Sequence, residues 1–434
     1  MTRPDFRPLR HVLVANRAAI AVRAAETCRA MGLVSTVLTA ASDPQDRHAE
    51  AGDHRFSVGG WGMRDTYDSV DRVVEAALRS GADTVYPGYG ALAEDPELPE
   101  RLAAAGLRFV GPSAGALRSV ADKQRAIEVA ERHGVPVLPH HTDHTRAGLA
   151  AFAERTGWPV ILKPAAGYGG QGVRIVHTPA ELAALVPGAA GADGGPRWYA
   201  EQFRADCRVV GISLAIDVYG TVAELGERET LLSADGLKLL EAAPVLGVPA
   251  GLVGRMRADA GRLALAFGLT NVVTVEFLVD GDDYFFMEVN GRLPLAYRMS
   301  ESQCGLDVIA LQLRIAADEP ITPGTVRVDR TTHALEARLF VHPAELSEFP
   351  RVGRLERLSF RPVAGVSYAH TVDAGRPVWY ELILAQALAT GSRREEAGAR
   401  LAAALEAGEA AGIRHYAQDI ADALDTRVLR PAAC

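Results

Sequence analysis

The sequence predicts an α/β protein: a parallel sheet with helices on both faces, then a strand-rich middle, then a small α+β tail. Three observations predict it. Short apolar runs alternate with amphipathic stretches in the first part of the chain, two apolar strands flank a glycine-rich tip in the middle, and the alternation weakens after Thr331.

His11–Ala15 (HVLVA) reads as a buried strand and Ala18–Met31 as a helix. Val34–Ala40 reads as a second strand and Ser69–Arg79 as a second helix. Thr84–Tyr86 and Arg108–Val110 follow as strands that each lead into a turn, Pro-Gly-Tyr-Gly and Gly-Pro-Ser. A dinucleotide fold would share this alternation. The first strand, however, is followed by Asn-Arg-Ala-Ala-Ile-Ala rather than GxGxxG, which argues against NAD. Ser119–His133 reads as a helix-rich link. Trp158–Lys163 is a strand running into Pro164–Gly172 (PAAGYGGQG) and returning as Val173–Val176, a hairpin with a glycine-rich tip. Pro187–Pro196 has linker composition. Val209–Glu288 is strand-like except for a helix over Leu252–Phe267, and an alanine-rich helix is expected near Glu395–Ala411. There is no internal repeat.

Bulk properties exclude several classes. A chain of 434 residues exceeds one ordinary core and predicts two or three domains. The net charge of -8 argues against nucleic acid as a partner. No run approaches the roughly 20 apolar residues of a membrane span, and the opening MTRPDFRPLR has charges where a signal peptide needs an apolar core. Cys28, Cys207, Cys304 and Cys434 are scattered with no CxxC pair, which fits a cytoplasmic protein without a disulfide framework or structural zinc.

Of 46 basic residues only Lys123, Lys163 and Lys238 are lysine, which leaves 43 arginines; asparagine is reduced to Asn16, Asn271 and Asn290. A coding bias accounts for the depletion but not for where the survivors sit. Lysine is a compact point charge where arginine is a wide fork, so a retained lysine marks a place where only the compact charge fits.

The glycine-rich hairpin could bring backbone N–H groups against phosphate oxygens, with Lys163 beside it, although such a sequence is also an ordinary turn. The acidic strands are more specific. Val272–Val279 (VVTVEFLV) and Tyr284–Arg292 (YFFMEVNGR) are joined by Gly-Asp-Asp, and period two places Glu288, Asn290 and Arg292 on one face with Glu276 near Glu288. Two carboxylates and an amide oxygen suit Mg²⁺ bridged to phosphates; a solvated outer face is the alternative.

The chain here resembles the biotin carboxylases, members of the ATP-grasp class. The resemblance rests on HVLVANR with IAVR, on YPGYGALAED, on GPS followed by ADK ending at Lys123, on ILK ending at Lys163 with the glycine hairpin, on Lys238–Pro244 (KLLEAAP), on VEFL and FMEVNGR, and on HALEAR ending at Arg338. It is collinear from about His11 to Leu339. It implies a Rossmann-like pre-ATP-grasp domain over 1–122, an ATP-grasp domain over 123–330 with a glycine-rich lid at about 138–200, and a small α+β C-terminal domain over 331–434. ATP would bind with Mg²⁺, two ions or Mn²⁺ in its place. Lys123, Lys163, Gly167, Gly169, Gly170 and Gly172 would meet phosphates, and Glu201 and Phe203 the adenine. Glu276, Glu288 and Asn290 would hold metal, and Lys238 would lie on the phosphoryl path. Tyr89 and Glu94 would face the acceptor, or simply form a turn with a packed tyrosine. A homodimer is the oligomer the resemblance implies, with the altered tail leaving it open.

The departures fall on the acceptor side. The family's Arg-x-Gln-Val-Glu-His run reads Arg292-Leu-Pro294-Leu-Ala296-Tyr297, so the glutamine that holds bicarbonate and the glutamate that acts as base are absent. General-base catalysis is worth a factor of about 10²–10⁴. The histidine expected near Arg208 is Val209, Gly236 or Leu237 stands where another is expected, the tail reads Trp379-Tyr-Glu381 in place of Tyr-Asp-Ser, and no Ala-Met-Lys-Met biotin-attachment motif occurs. The expectation is therefore an ATP-dependent, biotin-independent ligase. It would activate a carboxylate or bicarbonate as an acyl phosphate for an amine, with Arg292 and Arg338 free to grip a substrate carboxylate. An internal ion pair to Glu336 is the competing role for these arginines. A biotin carboxylase acting on a separate biotin carrier and a non-catalytic ATP-binding regulator are the alternatives.

Overall fold

The structure, a computed structural model, describes residues 8–43, 46–164, 172–186, 198–348, 351–370, 372–379 and 382–429. The N-terminal part is a parallel sheet of five strands, β1 (His11–Val14), β2 (Val34–Thr39), β3 (His54–Ser57), β4 (Thr84–Tyr86) and β5 (Arg108–Phe109), in the order β3-β2-β1-β4-β5. Helices α1 (Ala18–Ala30), α2 (Val70–Ser80), α3 (Ala91–Glu94) and α4 (Glu97–Ala104) supply the crossovers. Helix α2 begins where Ser69 accepts the Arg72 amide and ends at Gly81, whose φ of 74° only glycine adopts without strain.

The predicted single link to His133 is two helices, α5 (Ala114–Ala121) and α6 (Lys123–Arg132). The break falls at Asp122, whose carboxylate accepts the amides of Gln124 and Arg125 and so starts a new helix at Lys123. Four strands form a separate sheet in the order β6 (His140–His141), β9 (Trp198–Gln202), β7 (Val160–Pro164), β8 (Arg174–Val176), with α7 (Arg146–Thr156) and α8 (Pro179–Leu185) beside it.

The largest sheet has eight strands. It runs β14 (Asp283–Asn290), β13 (Asn271–Asp280), β10 (Arg208–Ile216), β11 (Val222–Ala234), β12 (Leu237–Ala243), β15 (His333–Phe340), β20 (Ile383–Gly391), β18 (Val366–His370). It is continuous across residue 330, because β12 pairs antiparallel with β15. Helix α9 (Ala250–Ala266) and α6 pack on its β10–β13–β14 end around Val210, Met256, Leu263, Val275 and Phe277. Helices α12 (Arg394–Ala407) and α13 (Ala417–Leu424) cover the β12–β15–β20 end. The expected helix to Ala411 stops at Ala407. Residues 409–411 instead form β21 (Glu409–Ala411) against β17 (Arg357–Ser359), and β16 (Arg351–Arg354) pairs with β19 (Pro377–Trp379). Alanine supplies helix propensity there, but Gly408 in extended backbone ends the helix.

Two further helices, α10 (Tyr297–Cys304) and α11 (Val308–Ala316), join the halves. Leu293, Tyr297, Val308 and Leu313 share a core with Val12, Ile20 and Tyr86 of the N-terminal sheet. That core fixes the N-terminal loop after β4 against the end of β14. Among the described residues no helix is long and apolar enough to cross a membrane.

Candidate active site

Strands β13 and β14 are joined through Gly281 (φ 60°) with Asp280 opposite Asp283, and this register sets Glu276 directly across from Glu288 and Thr274 across from Asn290. The two carboxylates therefore share a face, as period two requires. A ladder of side chains extends from them. Asn290 donates from Nδ2 to Glu288 Oε1 (3.2 Å) and accepts at Oδ1 from Arg292 Nη2 (3.1 Å), while Arg292 Nε lies 3.2 Å from Glu94 Oε1. Glu94 thus reaches the acidic strands from the N-terminal part. Tyr89 is half-buried beside the same core, with its backbone carbonyl held at 2.7 Å by Asn16 Nδ2, which also holds the Pro87 carbonyl at 2.7 Å.

All three lysines converge here. Lys238 Nζ is 2.5 Å from Glu276 Oε1, and Lys163 Nζ is 2.5 Å from Glu201 Oε2. Lys123 starts α6. Burial lowers its ammonium below the ordinary lysine value, an effect opposed by Glu288, Glu201 and Glu94 and reinforced by Lys163. Phe203 follows β9 directly, in the segment that leaves Glu201. Gly172 has a φ of 77°, and a Cβ there would meet Pro164 at 3.3 Å; Gly167, Gly169 and Gly170 lie outside the described residues.

The acceptor side is built otherwise. Arg338 is 1% exposed and is not free to grip a substrate carboxylate as expected. Its Nη2 lies 2.5 Å from Glu241 Oε2 and 2.8 Å from Glu336 Oε2, and its Nη1 donates to the Lys238 carbonyl at 3.1 Å. Burial alone would lower the guanidinium, but the two carboxylates outweigh it and hold its pKa above the ordinary value. Burial would likewise raise Glu241, yet Arg338 and Arg228 together bring it down to about 2. The internal ion pair is the role the packing selects, because a buried guanidinium without carboxylates would be far more costly. Arg292, also expected to be free, is held between Glu94 and Asn290. Ala296 is buried among Ala243, Met299, Ala334 and Leu388, an apolar cluster at the position where the resemblance puts a basic glutamate.

Sequence reasoning missed Arg228. Its Nε donates to Glu241 (3.1 Å), its Nη1 to Ser213 (2.8 Å), and its Nη2 lies 3.7 Å from Glu276, so it ties the arginine network to the acidic pair. Gly211 sits between them on β10, opposite both Arg228 and Glu276, and a Cβ there would crowd the guanidinium at 3.1 Å. Nothing distinguishes one arginine among 43 in the sequence. Asn16 did carry a signal, the scarcity of asparagine.

Residues 8–117 match the family described as biotin carboxylase, N-terminal domain, and residues 122–323 match the ATP-binding domain of the carbamoyl-phosphate synthase L chain. Biotin carboxylase 1 of Bacillus subtilis is 31% identical over 411 residues, which cover 92% of this chain and 90% of that one. The chain belongs to the biotin carboxylase family. The mitochondrial methylcrotonoyl-CoA carboxylase subunit alpha of Arabidopsis thaliana is 30% identical over 428 residues, 95% of this chain but only 58% of that longer protein. Among solved structures, a Campylobacter jejuni biotin carboxylase superposes with a TM-score of 0.87 at 26% identity, covering 96% of each chain. The biotin carboxylase domain of Hydrogenobacter thermophilus 2-oxoglutarate carboxylase, a dimer with MgADP, ADP and bicarbonate, gives 0.89 at 27% identity, covering 98% of this chain and 95% of that one.

As a member of the biotin carboxylase family the protein is an ADP-forming ATP-grasp ligase that uses ATP and Mg²⁺. The residues present fit the ion. Glu276 Oε2 is buried without a hydrogen-bond partner, on the residue directly across the strands from Glu288. Two carboxylates and an amide oxygen on facing strands are the hard oxygen ligands such an ion takes. The expectation of a biotin-independent ligase with an amine acceptor finds no support among these relatives, whose names point to biotin carboxylation.

Proposed function

We propose that this chain activates bicarbonate with ATP, forming carboxyphosphate and ADP, and passes the carboxyl group, with release of inorganic phosphate, to biotin carried outside these 434 residues. The observation that carries the reading is the Glu276–Glu288 pair with its open carboxylate oxygen, flanked by Lys123 and Lys238. Glu276, Glu288 and Asn290 would hold Mg²⁺, which when bound offsets negative charge on the phosphates. Lys238 would swing from Glu276 to the transferring phosphoryl group, with its backbone held by Arg338. Lys163 would leave Glu201 for the phosphates as Glu201 and the Phe203 backbone take the adenine. Glu94 would position Arg292 beside the bicarbonate. The division at residues 122 and 330 is part of this proposal, with the lid sheet closing over the nucleotide. The scattered cysteines are consistent with a reducing, cytoplasmic setting.

One observation favours a second reading, an amine acceptor without biotin. The basic glutamate's position is Ala296, packed in an apolar cluster, and Pro294 lacks a backbone donor. Steady-state ADP release separates the two. Bicarbonate-dependent release that rises with free biotin is the expected result. Release that ignores biotin but rises with an amine would establish the second reading.

A further inference from the structure

A cleft of about 430 Å³ lies between helix α9, the turn joining β13 to β14, and the chain leaving α6, and none of the residues assigned to the nucleotide lines it. Its walls carry opposite charge. Arg255 and Arg262 stand on the α9 side, Asp282 and Asp283 on the turn. Arg255, Asp282 and Asp283 are exposed, and among the described residues none of the three makes an ion pair, so the walls face each other without touching. A buried network holds them apart. Asp259, one helical turn from Arg255, is 4% exposed on a helix face that otherwise buries Leu252, Met256 and Leu263. It accepts from the Tyr284 hydroxyl at 2.7 Å and pairs with Arg262, which also donates to the His133 carbonyl at 2.9 Å. These contacts tie α9 both to β14 and to the chain after α6. The edge of the sheet adds main-chain groups, since β14 is its outermost strand. Phe286 turns its N–H outward to the Pro136 carbonyl at 2.7 Å, and period two turns the N–H and C=O of Tyr284 to the same side, toward the cleft it lines.

We infer that this cleft is an effector site for a free dibasic α-amino acid. Arg255 and the Tyr284 N–H would take the α-carboxylate, the Tyr284 carbonyl and one aspartate the α-ammonium, and the second aspartate the side-chain cation. Charge selects the class. Two guanidinium groups, Arg255 and Arg262, line the cleft with three carboxylates, Asp259, Asp282 and Asp283, a net of -1 that a monocation neutralises. A dianion would meet Asp282 and Asp283 with its own charge, and a plain diamine would leave Arg255 unmatched. The volume falls within the roughly 300–1,000 Å³ of small-molecule sites. The position couples the cleft to the nucleotide. Residues 133–139 are one of the two connections that join the four-stranded sheet to the rest of the chain, Val137 bridges to Phe286, and β14 runs on to Glu288. A ligand seated across α9, β14 and Pro136 fixes that connection, so its affinity and that of the nucleotide depend on each other.

Isothermal titration calorimetry of the full chain with L-lysine and L-arginine tests the inference. One saturable site is expected, with lysine methyl ester and cadaverine, which lack the free carboxylate, about tenfold weaker or more. Arg255→Met and the double variant Asp282→Asn/Asp283→Asn should each weaken L-lysine about tenfold while the melting temperature stays put, since all three side chains are exposed. Saturating MgADP should shift the Kd for L-lysine about fivefold. Failure of both amino acids to saturate overturns the inference, and so does cadaverine binding as tightly as L-lysine. Unchanged affinity in the folded variants refutes this cleft as the site, and a Kd that ignores MgADP refutes the effector role. None of these titrations reads carboxylation, so the proposed activity stands or falls separately, on ADP release with bicarbonate and biotin.

Discussion

The nucleotide half and the acceptor half of this site use the same kinds of charged side chain in opposite ways. Around β13 and β14 the charges are partly accessible and their pairs are simple. Lys238 and Lys163 each rest on one glutamate, with side chains 28% and 12% exposed, and in the proposed function a nucleotide exchanges those partners for phosphate and metal. Around β15 the charges are sealed. Arg338 has two carboxylates and a carbonyl, and it and both carboxylates are at most 3% exposed. The first arrangement is poised for ligand exchange. The second is scaffold, and it fixes the strand on which Lys238 is mounted.

The contrast can be broken in three ways. The largest expected effect is on turnover. Glu288→Ala or Lys238→Ala should lower the rate of ADP formation by about 10³-fold or more without moving the melting temperature much, since each removes charge from the phosphoryl path rather than from the core. Retained turnover in either would remove the nucleotide assignment. Arg338→Met should act in the reverse sense, costing about 3–5 kcal/mol of stability in denaturant titrations, because Glu241 and Glu336 are left buried without their shared cation. A fully stable Arg338→Met protein would mean that the network is not scaffold. The smallest effect is on pH. Burial lowers Lys123, so it becomes neutral as pH rises before an ordinary lysine would. The KM for ATP should accordingly climb on the alkaline side, by about tenfold at most, starting below pH 10.5. The acceptor network should not respond over that range, since Glu241 stays ionised down to about 2 and Arg338 is held above its ordinary value. Lys123→Arg should remove the alkaline rise; if it persists, another group is titrating.

The acidic strands, the three lysines and the alternating N-terminal sheet were legible because each depends on local pattern. Period two aligned Glu288 with Asn290, the short turn brought Glu276 opposite, and the rarity of lysine singled out three residues that the structure brings near the acidic pair. The resemblance also put Pro294 and Ala296 where the family carries its glutamine and glutamate, whose roles these side chains cannot fill. The sequence alone could not say what becomes of a side chain once the sheet forms. Arg338 looked available, and only the antiparallel pairing of β12 with β15 sets Glu241 beside Glu336 and closes both on it. Arg228 was invisible because its role comes from strands distant in sequence meeting on one face. Local pattern thus determined the fold class and singled out the residues proposed to meet the nucleotide, whereas burial and cross-strand register decided which charges are free, since desolvation and ion pairing depend on neighbours that only the tertiary structure supplies.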